Sequence, residues 1–213
     1  MSKRLLGALS AALSLSITPL LAQQQVSYHL SFPNAVHHEA QISVKFTGIA
    51  TDTLQVLMPR SSPGRYALHE FAKNVYSVKA IDSKGNQLPI NRSTPHQWDI
   101  TGHQNGDVTV SYTLFGDHAD GTYTGIDETH AHLNMPATLL YAKGFEKAPA
   151  KVTFRVPQGS NWKIGTQLKP ESDSVFTAPN FQYLMDSPTE LSNFDFAEWV
   201  VKDKGKDKTI QVT

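Results

Sequence analysis

The sequence predicts an all-β chain, an antiparallel sandwich or a curved open sheet, following a cleaved N-terminal signal peptide. Three observations carry this reading. Apolar residues recur with period two rather than 3.6 in segment after segment, which sets them on one face of a half-buried strand. Clusters of Gly, Pro, Asn, Asp and Ser fall between these segments, where turns are needed. After the first 22 residues no long stretch keeps a helical period.

The elements follow in order. Lys3 and Arg4 precede an apolar run from Leu5 to Leu21, and Ala22 leads into Gln23, the form of a secretory signal peptide over residues 1–22. Ser10, Ser14, Ser16, Thr18 and Pro19 interrupt that run and make it a poor permanent span. Residues 23–213 are then one β domain. Val26, Tyr28, Leu30 and Phe32 alternate with Ser27, His29 and Ser31; Ile42, Val44 and Phe46 alternate with Ser43 and Lys45. Thr53–Met58 and Asn74–Ile81 are further strands, with a turn at Asp82-Ser83-Lys84-Gly85-Asn86. Val108, Val110, Tyr112 and Leu114 repeat the alternation beyond the Gly102–Gly106 turn. Thr138–Ala142 reads as a strand, as do Val152, Phe154 and Val156 before Pro157.

Asn180–Met185 suits a single helical turn. Phe194–Val201 and Lys208–Val212 make the arms of a last hairpin, and the Lys/Asp alternation between them is its solvated tip. The chain stops one residue past the second arm, where domains usually carry a few loose residues, so a longer natural polypeptide is the expectation. Trp98, Trp162 and Trp199 are expected in the core.

At 213 residues the chain is long enough for a packed core and too short for a large enzyme. Its 19 Lys and Arg balance 19 Asp and Glu, and removal of Lys3 and Arg4 leaves the mature chain slightly acidic. Neither a nucleic acid nor an anionic membrane is therefore an expected partner. Cysteine is absent, which excludes disulfides, thiolate nucleophiles and thiolate metal sites. The expected location is exported, periplasmic or secreted.

The nine histidines invite a metal centre, but no H-E-x-x-H is present, and His69-Glu70-Phe71-Ala72-Lys73 ends in a cation where the second ligand belongs. His130 and His132 share a face of a strand, with Asp127 and Glu128 nearby, and are the only weak metal candidates; without a third ligand they fit a polar strand edge better. His37-His38-Glu39 splits its rings between two faces. No G-x-S-x-G elbow, G-x-G-x-x-G or Walker loop is present, and Gly116–Gly121 reads as a surface loop. No catalytic residue and no cofactor are assigned to this chain.

Four ordered segments resemble the N-terminal β domain of the glycyl aminopeptidase family, peptidase family M61, whose members are zinc metallopeptidases. They are Met58-Pro59 through Pro63-Gly64-Arg65-Tyr66 to His69-Glu70-Phe71-Ala72; Leu133-Asn134-Met135-Pro136 to Leu140; Val152-Thr153-Phe154-Arg155-Val156-Pro157 with Trp162; and Phe176 to Phe181 leading into Asp186-Ser187-Pro188-Thr189-Glu190. Where the family commonly has Arg before Glu-Phe this chain has His69, and Lys73 replaces a second common Arg. Tyr66 with Phe71 is placed to pin its loop to the sheet, and Asp186 to accept backbone N–H bonds in a turn.

The resemblance implies a non-catalytic N-terminal domain of an exported metallopeptidase, truncated or a fragment, that forms one wall of a peptide cleft. It implies Asn134, Asp186 and Glu190 as substrate-binding positions, zinc only in the full-length family, and a peptide substrate only with a downstream catalytic domain. The chain alone lacks the zinc motif and is predicted inactive. The alternative is a stand-alone exported β domain that binds a peptide, glycan or protein. A domain built to pack on another is expected to expose an apolar patch, here at Leu191, Phe194 and Phe196.

Overall fold

The computed structural model describes residues 23–65, 67–118 and 120–212; the signal-peptide reading and Tyr66 lie outside the described residues. In chain order the strands are β1 (Gln25–Asn34), β2 (Glu39–Thr47), β3 (Thr53–Leu57), β4 (Val75–Asp82), β5 (Ile90–Thr94), β6 (Gln97–Thr101), β7 (Val108–Phe115), β8 (Gly125–Ile126) and β9 (His130–Leu133). A short helix α1 (Met135–Thr138) precedes β10 (Tyr141–Ala142), β11 (Ala150–Arg155), β12 (Lys163–Thr166), β13 (Lys169–Pro170) and β14 (Val175–Ala178). Helix α2 (Phe181–Met185) then leads to β15 (Thr189–Ser192), β16 (Ala197–Asp203) and β17 (Lys206–Val212).

The strands form a seven-stranded sheet ordered β13-β14-β11-β1-β2-β7-β4 and two four-stranded sheets, β10-β3-β6-β5 and β12-β15-β9-β8. Among the described residues β16 and β17 pair only with each other. All pairs are antiparallel except β1 with β11, which run parallel from Val26 beside Ala150 to Ser31 beside Arg155. More than a hundred residues separate these two strands, so nothing in the local alternation signals their direction.

The period-two reading is borne out in the main sheet: Val26, Tyr28, Leu30 and Phe32 face inward from β1, Ile42, Val44 and Phe46 from β2, and Val108, Val110, Tyr112 and Leu114 from β7. Leu54, Val56, Trp98 and Ile100 of the β3–β6 pair add their inner faces, and all belong to one continuous core. The Asp82 turn is closed as predicted, its carboxylate accepting the N–H groups of Lys84 at 2.8 Å and Asn86 at 2.9 Å. Gly116 sits where the chain runs antiparallel beside the Thr124–Ile126 segment: a Cβ there would lie 2.8 Å from the Thr124 carbonyl oxygen, so only glycine fits.

Three expectations are corrected. Thr138–Ala142 is not a strand; Met135–Thr138 is helical, and only Tyr141–Ala142 pair with β3. Pro136 in the first turn favours a helix start, Thr138 Oγ1 donates to the Asn134 carbonyl at 2.8 Å, and burial of Met135 to Leu140 leaves a solid apolar run that periodicity cannot classify. Trp199 is 49% exposed rather than core; among the described residues its hairpin shares no strand pairing with another sheet. Leu191 is buried instead of forming an apolar surface patch with Phe196, which is 58% exposed.

His103, in the turn before β7, is 4% exposed, and neither ring nitrogen has a partner among the described residues. A buried polar group without a partner costs about 1–3 kcal/mol. His103→Leu is therefore expected to hold or raise the thermal midpoint, by up to about 1 kcal/mol in stability. A melt that falls by several degrees counts against this account.

Candidate functional site

The β12-β15-β9-β8 sheet has two unlike faces. In register, Ile164, Leu191 and Ala131 lie side by side, as do Thr166, Thr189 and Leu133, and Leu191, Ala131, Leu133 and Thr189 are buried. The intervening residues point the other way: Lys163, Ser192 and His130 form one row, and Gly165, Glu190 and His132 the next. This second face is the floor of a cleft of about 910 Å³. Thr166, Gln167 and Pro188 bound one side, Lys163, Phe194 and Phe196 the other.

Glu190 is the anionic centre of the floor. Partial burial works against its charge, but hydrogen bonds from His132 and Ser192, with His130 and His132 close by, hold its carboxyl below the ordinary glutamate value. His132 Nδ1 lies 3.3 Å from Glu190 Oε2. Gly165 beside Glu190 carries no side chain, so the carboxylate has open space on that flank. The neighbouring cation is occupied: Lys163 Nζ donates to the Phe194 carbonyl at 2.6 Å and lies 5.6 Å from the centre of that ring. Gln167 is likewise tied, its Nε2 donating to the Asp186 carbonyl and, at 3.1 Å, to Ser187 Oγ.

His130 and His132 share a face as their spacing implies, but each turns Nδ1 to its own carboxylate, His130 to Asp127 at 3.2 Å and His132 to Glu190. Burial opposes the Asp127 charge; the hydroxyl and N–H of Thr129 and the N–H of His130 outweigh it and bring the carboxyl down to about 2. Among the described residues no group of three or more ligating side chains is placed to hold a metal ion. The donor set does not fit a zinc centre.

The other sequence-predicted positions lie apart from the cleft floor. Asn134 is buried, and its Nδ2 donates to Ser62 Oγ at 3.0 Å and to the Thr122 carbonyl, joining the Pro63 loop, the Thr122 segment and the start of α1. Asp186 is exposed at the end of α2; its carboxylate accepts from Gln182 Nε2 at 3.4 Å rather than from backbone N–H groups. His69 stacks on Phe71 at 5.1 Å and meets Tyr123 edge-on. The ion pair of Glu70 is made by Arg60, and Lys73 lies 5.5 Å from the centre of the Tyr123 ring. The residues that sequence reasoning missed are Lys163, Gly165 and Gln167. Only the pairing of residues 163–166 with 189–192 brings them to Glu190, and no local pattern encodes it.

The family model of the Peptidase M61 N-terminal domain matches residues 27–193. The chain belongs to this family. Its fold is that of a crystal structure of an aminopeptidase N family protein from Idiomarina loihiensis, with a TM-score of 0.76 at 20% identity over 87% of this chain and 32% of that one. An M1 zinc metallopeptidase from Deinococcus radiodurans, a mutant bound to a peptide substrate, aligns at 11% identity with a TM-score of 0.49, covering 90% of this chain and 47% of that one. This M61 N-terminal domain thus spans about a third of the Idiomarina chain and about half of the Deinococcus one. No curated protein matches the sequence. The matched region ends just beyond β15, so it contains the cleft floor and leaves out the β16–β17 hairpin.

Proposed function

We propose that this M61 domain is the non-catalytic N-terminal wall of a peptide cleft in an exported, glycyl-aminopeptidase-like zinc metallopeptidase. The zinc and the attacking water belong to a separate catalytic domain. The observation that carries the reading is the cleft over β12, β15 and β9, with an anionic Glu190 on its floor, an aromatic flank at Phe194 and Phe196, and its nearest cation and amide already engaged. A carboxylate held in its charged form with room beside it suits a peptide N–H or ammonium donor. Export is supported by the signal-like composition of residues 1–22. Asn134 acts in this scheme by tying the Pro63 loop and the Thr122 segment to the start of α1, not by touching the peptide.

Titrating the isotope-labelled chain with a glycyl or alanyl dipeptide amide tests this by NMR. Amide shifts are expected to cluster at residues 163–167 and 188–192, with affinity in the millimolar range for half a cleft. Glu190→Gln keeps the shape and removes the charge; a charge-assisted hydrogen bond of about 1.5–3 kcal/mol predicts a loss of roughly 10- to 100-fold. Shifts centred elsewhere, or unchanged affinity in Glu190→Gln, overturn the assignment.

A further inference from the structure

We propose that the outer face of the seven-stranded sheet binds an acidic oligosaccharide, laid across the strands from Arg155 of β11 over β1 and β2 to Ser111 of β7 and Lys79 of β4. The inference is independent of the peptide-cleft reading: it uses another sheet, and every residue in it lies within the matched domain. Residues that alternate with the buried set of β11, β1, β2 and β7 point away from the core. In register they form two rows across the sheet. One runs Arg155, Ser31, Gln41, Thr113 and Tyr76. The next runs Thr153, His29, Ser43, Ser111 and Lys79.

Between the rows lies a cleft of about 410 Å³ that reaches from Arg155 past His29 and Ser43 to Ser111. A second hollow of about 300 Å³ adjoins it around Arg155 and Ser31. Five strands about 4.8 Å apart set the ends of a row roughly 19 Å from each other, the span of about four sugar rings. The lining suits a polyol, because the hydroxyls of Ser31, Ser43 and Ser111 can donate and accept alike, as sugar hydroxyls do. Gln41 is held in place on the same face, its Nε2 donating to Thr113 Oγ1 at 3.0 Å. Tyr76, at the end of its row, is 39% exposed and donates to the Glu39 carboxylate, which fixes a ring for a sugar to lie against.

Charge decides that the ligand is acidic. The outward side chains of these five strands include Lys45, Lys79, Lys151 and Arg155 but one carboxylate, Glu39, which already accepts from Tyr76 and Asn34. Lys45 is paired with Asp107 at 2.8 Å and Lys151 with Glu171 at 2.7 Å. Arg155 and Lys79, at opposite ends of the cleft, have no ion pair among the described residues. Asp173, the acidic residue of the turn beside β11, lines a different cleft with Phe154 and Trp162, on the face opposite to Arg155. A guanidinium takes a carboxylate in two parallel hydrogen bonds. A uronate chain supplies carboxylates at both ends of a run of hydroxyls, one for Arg155 and one for Lys79.

Linear tetragalacturonate, titrated into the isotope-labelled chain, is the test. It is expected to shift the amides of residues 29–31, 41–43, 111–113 and 153–155, with a Kd on the order of 100 μM to 1 mM that weakens as salt is added. Arg155→Gln removes the charge from an exposed side chain and is expected to lower the affinity roughly tenfold, with the melting temperature and the dipeptide-amide titration unchanged. Ser43→Tyr fills the middle of the cleft with a residue that strands favour and is expected to abolish the shifts while the sheet stays folded. Maltotetraose, neutral and of the same length, is expected to bind at least about tenfold more weakly. Equal binding of the neutral sugar overturns the acidic assignment, and shifts reproduced in full by sulfate alone overturn the saccharide one. No shift at these amides, or an affinity that ignores Arg155→Gln, overturns the site itself.

Discussion

Replacing Leu191 with Ala is expected to destabilise the domain by about 2–5 kcal/mol, the range for a fully buried leucine whose site collapses only in part. Leu191 has no exposed surface and lies between Ile164 and Ala131 on the underside of the sheet whose upper side carries Glu190. Its removal therefore leaves a void directly beneath the cleft floor. Residues 163–166 are joined to the core chiefly through this sheet, so the loss falls on the cleft first. In a denaturant melt the midpoint drops with the slope unchanged, and peptide-induced shifts at Gly165 and Glu190 weaken even where the domain is still folded. Glu190→Gln, in contrast, is expected to cost only about 1 kcal/mol, the loss of a partly exposed carboxylate's interaction with His132. If Leu191→Ala left the melt untouched, the sheet would not be anchored through this side chain.

The contrast between those two neighbours in one strand also marks what the sequence makes legible. Alternation in β1, β2 and β7 identified the main sheet and its inward residues because each strand buries one face against one core. The strand Thr189–Ser192 is only four residues long, too short for a period to emerge, and β12 contains Gly165 with no strand preference of its own. Glu190 is a site position through the family resemblance alone, and the spacing of its partner His132 from His130 suggests a metal ligand. Their meeting at 3.3 Å depends on antiparallel pairing across 58 residues. Of the three residues expected in an apolar patch, Leu191 is buried in the domain, Phe194 is half-buried and Phe196 is exposed. Trp199 misleads too, since an alternating hairpin reads alike whether its apolar face is covered or open.

The second large effect is alkaline unfolding, and it comes from two tyrosines. Tyr28 and Tyr112 are both fully buried on the inner face of the main sheet. Tyr28 Oη donates to the Leu140 carbonyl at 2.9 Å; Tyr112 Oη donates to the Thr138 carbonyl at 2.8 Å and accepts the Leu140 N–H at 3.2 Å. They hold the segment after α1 against the sheet. Burial pushes both phenols well above 10.0, with Tyr112 adding to the shift of Tyr28. In the unfolded chain a tyrosine releases its proton near pH 10, so below that pH both states are protonated and the full stability is present. As pH rises beyond it, only the unfolded state loses protons, and unfolding gains about 1.4 kcal/mol per pH unit for each such group, close to 3 for the pair. Removing the hydroxyls separates this from lysine titration. Tyr28→Phe with Tyr112→Phe is expected to be less stable at pH 7, by about 1–3 kcal/mol for each unpaired backbone group left behind, yet its stability should fall less steeply between about pH 10 and 11.5. Parallel stability curves for the two proteins would mean that other groups govern the alkaline transition.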